Sequence, residues 1–458
     1  MLPYLSIDSF NKEIHLIVPE WLFLKSGPVR DHAVVVSKNL FIAVGMVSTI
    51  KSEFPDLVPT DLPGTLLMPG FIDTHHHLTS AFGKALVFGE PSEIWRRVWV
   101  PLERHLDEEH LYLASKLASL EALRGGFTTV CEAGTRGTLG VDAIARATTE
   151  TGIKCVLGLI CNDLDGNKTP QNSDLIIDRA LKHILKWHSH NLVYPSLSVS
   201  IPEAATNGIL AKISAICAES DCIFQTHVNE HLSTVERSLE LLNMRPIEHL
   251  YSIGALGPQT ILAHATLVTP TELKMIYDTG SAVSYNPVAS AWKGNAVAPA
   301  LLMMALGIRL GIGTDGTRSD GFRLMDYAEA AQRFVFGIPV GDSSCGGGWT
   351  WVDHATAHGA DVLKLGQTTG EIAVGKDADF LLIDLQVPEM LPSWDISWEL
   401  VRLANRDQII GVFVSGKLRL WKGWPTDWDA RSLMAQISAS AKKIVSQAPI
   451  IKIHKTRN

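Results

Sequence analysis

The stretch Met68-Pro69-Gly70-Phe71-Ile72-Asp73-Thr74-His75-His76-His77 ends a short apolar run in three consecutive histidines. Side chains on an extended backbone repeat every second residue, so His75 and His77 fall on one side and His76 on the other. Two aligned imidazoles suit a divalent ion such as zinc or iron, although three histidines in a row also suit a polar loop. Other apolar runs end in the same kinds of residue. Ile223-Phe224-Gln225-Thr226 leads into His227, Ile261-Leu262-Ala263 into His264, and Gly311-Ile312-Gly313-Thr314 into Asp315. Three or four imidazoles and one carboxylate form a nitrogen-and-oxygen metal site with room left for water. Glu230 lies three residues beyond His227. There it is placed to carry protons beside an activated water without being a ligand. Glu132 and Glu203 follow two further runs and are candidates for the same mouth, but a backbone amide or an arginine partner explains each equally well.

Strand ends can converge in this way only if the runs are parallel and their ends point one way. From residue 66, short apolar runs alternate with helical patterns of period 3.6, which is how parallel βα units read. Eight strands are expected: Leu66–Asp73, Thr128–Ala133, Lys154–Ile160, Ser196–Ile201, Cys222–His227, Thr260–Ala265, Ser281–Tyr285 and Arg309–Thr314. Amphipathic helices are expected at Glu108–Arg124, Leu175–Trp187, Ile209–Glu219, Thr271–Thr279 and Asp326–Phe336. Together these predict an α/β fold, a (β/α)8 barrel with its chemistry at the C-terminal strand ends. A doubly wound sheet is the alternative, but no Gly-X-Gly-X-X-Gly follows any strand. Ala33–Val36 and Leu40–Gly45 read as a β-hairpin, and Asp379–Asp384 with Gly411–Leu420 as further strands. Both termini therefore predict one small β-sandwich, residues 1–67 with 367–458, around a barrel of residues 68–366.

The chain has 458 residues, 46% of them apolar, and a dispersed formal charge of −8, which argues for a small-molecule substrate rather than nucleic acid. No apolar run has bilayer length and no secretory pattern opens the chain, so no membrane partner and a cytoplasmic location are expected. The six cysteines include no Cys-X-X-Cys pair, so neither disulfides nor a thiolate metal site is indicated. His354 and His358, four apart on a helix, can chelate a metal but have no third ligand or Glu beside them, and His183, His188 and His190 lie on a polar helix end; both groups read as structural or solvent-facing.

Taken in order, Pro69–His77, His227-Val228-Asn229-Glu230, Leu262-Ala263-His264, Gly313-Thr314-Asp315-Gly316 and Gly370–Asp379 resemble the amidohydrolase superfamily. The resemblance is to its aminohydrolase branch of guanine, 8-oxoguanine, cytosine and S-adenosylhomocysteine deaminases and triazine hydrolases, and it spans nearly the whole chain. It implies one divalent metal, zinc or iron, held by His75, His77, His227 and Asp315, with Glu230 as proton shuttle and His264 orienting water and stabilising the oxyanion. The implied reaction is attack of metal-activated hydroxide on an sp² carbon, Asp315 taking the water's proton, with release of ammonia or an amine from an N-heterocycle. Hydrolysis of an amide, urea, carbamate or halide substituent is the runner-up, and a non-catalytic barrel with a binding pocket is a third reading. Relatives often form dimers or larger assemblies, so a homo-oligomer is expected. Two segments depart from the family pattern, Tyr285–Trp292 and Ser319-Asp320-Gly321, and both border the expected substrate pocket. The loop after His77 carries Phe82, Phe88, Trp95 and Trp99 and is expected to cover that pocket; Trp95, Trp292 and Glu132 are its substrate-binding candidates.

Overall fold

A computed structural model of the chain describes residues 6–454 except 11, 91–92, 138, 165–168 and 343. The N-terminal strands are β1 (Ile14–Leu24), β2 (Gly27–Val29), β3 (His32–Ser37), β4 (Leu40–Met46) and β5 (Thr60–Pro69). A central set follows: β6 (Phe71–His76), β7 (Phe127–Glu132), β8 (Lys154–Ile160), β9 (Val193–Ser198), β10 (Ile223–Val228), β11 (Thr260–His264), β12 (Ala282–Tyr285) and β13 (Arg309–Ile312). The chain ends with β14 (Phe380–Asp384), β15 (Ile409–Val414), β16 (Lys417–Trp421) and β17 (Trp424–Pro425).

Strands β6 to β13 are all parallel and pair in sequence order, as expected of a (β/α)8 barrel. The ring nearly closes between β13 and β6 through side-chain and loop hydrogen bonds. Thr314 donates its N–H to Asp73 Oδ1 at 2.9 Å and its hydroxyl to Oδ2 at 2.5 Å. The Asp315 N–H donates to the His75 carbonyl at 2.8 Å. Gly313 permits this approach, since a Cβ there would lie 2.4 Å from Asn286 Oδ1.

The remaining nine strands form one mixed sheet in the order β17-β16-β15-β14-β5-β1-β3-β4, with β2 on β1. On a flat sheet β4 and β14 would stand ~19 Å apart, at about 4.8 Å per strand. The Phe41 and Phe380 rings are nevertheless 5.8 Å apart, so the sheet curls onto itself. Phe413 stacks on Phe380 at 4.2 Å inside the curl. On the outer face Leu16, Ala33, Val35 and Ala43 pack under Ile50 of the helix Val47–Glu53. The sandwich expected from the two termini is thus a single curled sheet.

Two contacts tie the sheet to the barrel. Lys154, fully buried at the start of β8, pairs with Asp377 and with Asp379, the latter at 2.5 Å. The C-terminal helix Ala430–Gln447 lays Leu433 and Ile437 against Leu113 of the barrel helix Glu108–Arg124.

Three expected boundaries move. Leu66–Asp73 is two strands: Leu66–Pro69 ends β5 in the curled sheet, and the barrel begins at Phe71. The break is Gly70, where a Cβ would lie 2.2 Å from Thr128 Cγ2. Strand β9 begins three residues before the expected Ser196, at Val193. The helix expected at Asp326–Phe336 is Gly321–Gln332, because Asp320 caps it by accepting the Arg323 N–H at 3.2 Å. No helix among the described residues is long and apolar enough to cross a membrane, and all six cysteines are free thiols.

Candidate active site

The barrel brings His75 and His77 from the end of β6 together with His227 from β10, His264 from β11 and Asp315 just past β13. The backbone turns sharply at these ends. Asn229, His264, Ala265 and Asp315 have φ of 50°, 74°, 46° and 55°, a region that side-chain-bearing residues enter at a cost.

One ligand atom from each of His75, His77, His227 and Asp315 lies within 4.8 Å of the others, and all four residues are buried. His77 Nε2 is 3.2 Å from His227 Nε2, and Asp315 Oδ1 is 3.3 Å from both His75 Nε2 and His77 Nε2. His75 Nε2 and Asp315 Oδ1 are buried without a hydrogen-bond partner. Leaving a buried polar atom unpaired costs about 1–3 kcal/mol, a cost that a cation among these atoms removes. The protonation states suit such an ion. Burial lowers His77 to about 3 and His227 well below its ordinary value, so both rings are neutral. His227 Nδ1 is 2.7 Å from the Ser200 carbonyl, to which it donates, leaving the Nε2 lone pair facing inward. Nitrogen-rich donors with one carboxylate and an open side fit zinc. His76 points away, its Nε2 3.1 Å from Ser319 Oγ.

Glu230 faces the open side. Its Oε1 lies 3.8 Å from His264 Nε2, 3.2 Å from His231 Nε2 and 2.7 Å from Lys293 Nζ. Asn229 pins the turn that carries it, donating from Nδ2 to Glu272 Oε1 at 3.0 Å and to the Leu267 carbonyl at 3.1 Å. Arg245 Nε pairs with the other Glu272 oxygen at 3.0 Å. Burial alone would raise Glu230, but His264, Lys293 and His231 outweigh it and hold the carboxyl well below its ordinary value. His264 Nε2 is also 4.0 Å from Asp315 Oδ2. The Ser284 hydroxyl donates to Asn286 Oδ1 at 2.9 Å, which leaves Asn286 Nδ2 facing His264 Nδ1 at 3.3 Å. With Nδ1 accepting, the neutral His264 ring carries its proton on Nε2, toward the two carboxylates.

Lys293 is absent from the sequence expectations, and Asn286 enters them only as part of the departing segment Tyr285–Trp292. Lys293 is the last residue of the short helix Pro287–Lys293, which Gly294 stops in the left-handed region at φ 69°. Its ammonium pairs with Asp315 Oδ2 as well as Glu230, with 7% of the side chain exposed. Burial works against the charge, but Asp315 and Glu230 outweigh it and hold the pKa raised. The available signal was positional: Pro287 and Gly294 bracket about two helical turns at the mouth of β12, and the last residue of that helix overhangs the site.

The cleft above the four converging side chains is lined by Trp95, Trp99, Arg136, Glu230, Lys293 and Asp315, among others. Trp99 offers its ring face to Lys293 Nζ at 5.1 Å. Of the three expected substrate-binding residues, Trp95 alone borders this cleft among the described residues. Trp292 turns outward onto Phe88, ring centroids 5.0 Å apart. Glu132 is fully buried and accepts the Leu78 and Gly134 N–H groups at 2.5 and 3.0 Å; burial pushes its carboxyl up to about 8. Glu203 borders the outer cleft, 3.9 Å from Arg237. The other histidines take structural partners. His354 Nδ1 and His183 Nε2 lie 2.7 and 3.0 Å from the Leu310 and Leu157 carbonyls, and His190 Nδ1 accepts the Leu192 and Val193 N–H groups.

The segment over the cleft is fastened by the C-terminal tail. Glu90 accepts the N–H groups of Ile453 and His454 at 3.0 and 2.9 Å and the Arg97 guanidinium at 2.7 Å, while the Ile451 N–H donates to the Arg97 carbonyl at 2.9 Å.

Known proteins resemble this chain over most of its length. A 5-methylthioadenosine/S-adenosylhomocysteine deaminase from Nitratidesulfovibrio vulgaris is 26% identical over 412 residues, 89% of this chain and 92% of that protein. A 5'-deoxyadenosine deaminase from Methanothermobacter thermautotrophicus is 26% identical over 444 residues, 95% and 99% of the two chains. The crystal structure of an adenosine deaminase from Xanthomonas campestris with bound zinc superposes with a TM-score of 0.85 at 23% identity, covering 94% of this chain and 98% of that one. The pattern that describes the amidohydrolase family matches residues 66–419, a span that holds every converging histidine and carboxylate described above. With barrel, strand-end ligands and sequence pattern in agreement, the chain belongs to the amidohydrolase family.

Proposed function

We propose that the protein is a zinc-dependent aminohydrolase that removes the amino group of a purine-type ring as ammonia. The observation that carries this reading is the convergence of His75, His77, His227 and Asp315 on one point, with Glu230 and His264 facing it across the open side. The deaminase names of the relatives support the choice of bond and ring. Those four residues would hold one zinc ion, which when bound acts as a Lewis acid and lowers the pKa of water. The chain's own groups do the rest. Glu230, ionised at the outset, takes one proton from the attacking water and hands it to the ring nitrogen beside the reacting carbon; Asp315 takes the second proton from the oxygen now bonded to that carbon, and that proton leaves with the departing amine as ammonia. His264, its Nε2 proton set by Asn286, donates to the oxygen as charge develops there. Trp95 and Trp99 border the cleft as faces for a flat ring.

The same reading makes this a cytoplasmic enzyme with a small-molecule substrate. It also makes it a homo-oligomer, for which the exposed Phe334, Ile338 and Val340 side by side in the chain are the support. Ammonia release from a panel of aminated purines, pyrimidines and pterins by zinc-loaded protein tests the reaction. Glu230→Gln is expected to lower kcat by about 10²–10⁴-fold with zinc content retained; His227→Ala is expected to lose both zinc and activity. Full activity in His227→Ala with zinc unchanged would overturn the reading.

A further inference from the structure

Lys293 overhangs the place a substrate takes. Its Nζ is 2.7 Å from Glu230 Oε1 and in contact with Asp315 Oδ2, the two carboxylates to which the proposed reaction assigns proton transfer. An ammonium has three N–H donors, and these contacts use two of them. Lys293 also lines the cleft, so its remaining donor is what a bound ring meets beside the carbon under attack. Trp99 backs the ammonium at 5.1 Å. A buried ammonium in this place is matched better by an anionic oxygen than by an uncharged ring acceptor, because hydrogen bonds between charged partners are the stronger ones.

The charges point the same way. The described ionised residues of the cleft are Arg136 and Lys293 against Glu230 and Asp315. They cancel, so a divalent ion at the histidines leaves the loaded cleft net positive. Arg136 is held in the wall by Glu103, which accepts the Arg136 N–H at 3.1 Å and lies 3.8 Å from its guanidinium. Two fixed cations and an ion in a partly closed cleft attract an anion.

We propose that Lys293 determines specificity, selecting a heterocycle that carries a carboxylate or ionised ring oxygen close to the amine-bearing carbon. This rests on the aminohydrolase reading for the identity of the reacting carbon, but its electrostatic content can be tested without turnover. The probes are pyridine-3-carboxylate and its neutral isostere pyridine-3-carboxamide, titrated calorimetrically into zinc-loaded full-length protein. The carboxylate is expected to bind roughly ten- to hundredfold more tightly, the range of one hydrogen bond to a charged group. Lys293→Met, with zinc content measured beside it, is expected to lose that preference, and Lys293→Arg to keep most of it. Equal binding of the two probes, or no detectable binding of the carboxylate, overturns the proposal. So does a preference that survives in Lys293→Met, since zinc itself would then be its source. If Lys293→Met fails to fold, the two probes are compared on zinc-free wild-type protein, where a preference that vanishes belongs to the ion and overturns the proposal. The two readings fail separately. An anion preference with no ammonia release from any ring removes the aminohydrolase reading alone. Ammonia release that favours uncharged rings, with equal probe binding, removes this one alone.

Discussion

Asp73 receives three donors with one carboxylate: the Thr314 N–H and hydroxyl from beyond β13, and the His75 N–H at 3.2 Å from β6. It therefore joins the first and last barrel strands and fixes the backbone of His75. Asp73→Ala leaves those donors buried without acceptors, and a loss of about 2–5 kcal/mol is expected in urea denaturation. Zinc affinity, followed by competition with a chromophoric chelator, is expected to fall about 10–100-fold. Unchanged zinc affinity would show that the strand closure does not orient His75. At this scale the sequence was informative where residue type and position coincide. His75, His77, His227, His264 and Asp315 each end a short apolar run, and few other roles explain that pattern. Lys293 was illegible for the opposite reason. Its carboxylate partners lie 63 and 22 residues away in the chain, and only the left-handed turn at Gly294 directs a residue of ordinary surface type inward.

The element over the cleft owes its position to a tail with no regular structure of its own. At the Glu90 carboxylate burial acts to raise the pKa, but Arg97 and the Ile453 and His454 N–H groups outweigh it and lower it from 4.5 to about 2. A depressed carboxylate contributes stability that is complete above the unfolded value and lost as pH falls toward the folded one. Tail docking is therefore expected to be constant above pH 5 and to weaken between about 4.5 and 2. Hydrogen exchange at the Ile453 and His454 amides measures it, and Glu90→Gln is expected to show the weakened state already at neutral pH. Protection that stays constant down to pH 3 would refute this account. None of the fastening was visible in the sequence, because Ile451–His454 has neither periodicity nor a turn signal. Strand boundaries failed where apolar runs continue on both sides of a break: within Leu66–Ile72 only Pro69-Gly70 marks the change of sheet, and a Cβ at Gly70 would meet Thr128. Helix starts were missed where a cap precedes the apolar pattern, as at Asp320.

Over the whole molecule, alternating runs and helices reveal a barrel because each βα unit is local, and the hairpins of the termini are equally local. The curl of the sheet and its junction with the barrel depend on long-range pairs and are not legible. Lys154 is the clearest of these, a lysine inside an apolar strand whose partners Asp377 and Asp379 lie 223 and 225 residues on. Removing one side of a buried ion pair strands the other charge. Lys154→Met is therefore expected to cost about 3–5 kcal/mol in denaturant unfolding. The folded fraction should keep its kcat, because the pair lies at the opposite end of β8 from the histidines. A loss of kcat without loss of stability would contradict this division.

The fastening of the cleft segment also sets an order in time. Ile453 is translated 363 residues after Glu90, which at ~5–20 residues per second is about 20–70 s. Throughout that interval every strand of the barrel can emerge and pair while the segment above it stays untied. The histidines are thus open to a metal ion from the surroundings until Ile451–His454 have been made, the residues that tie the segment over the cleft.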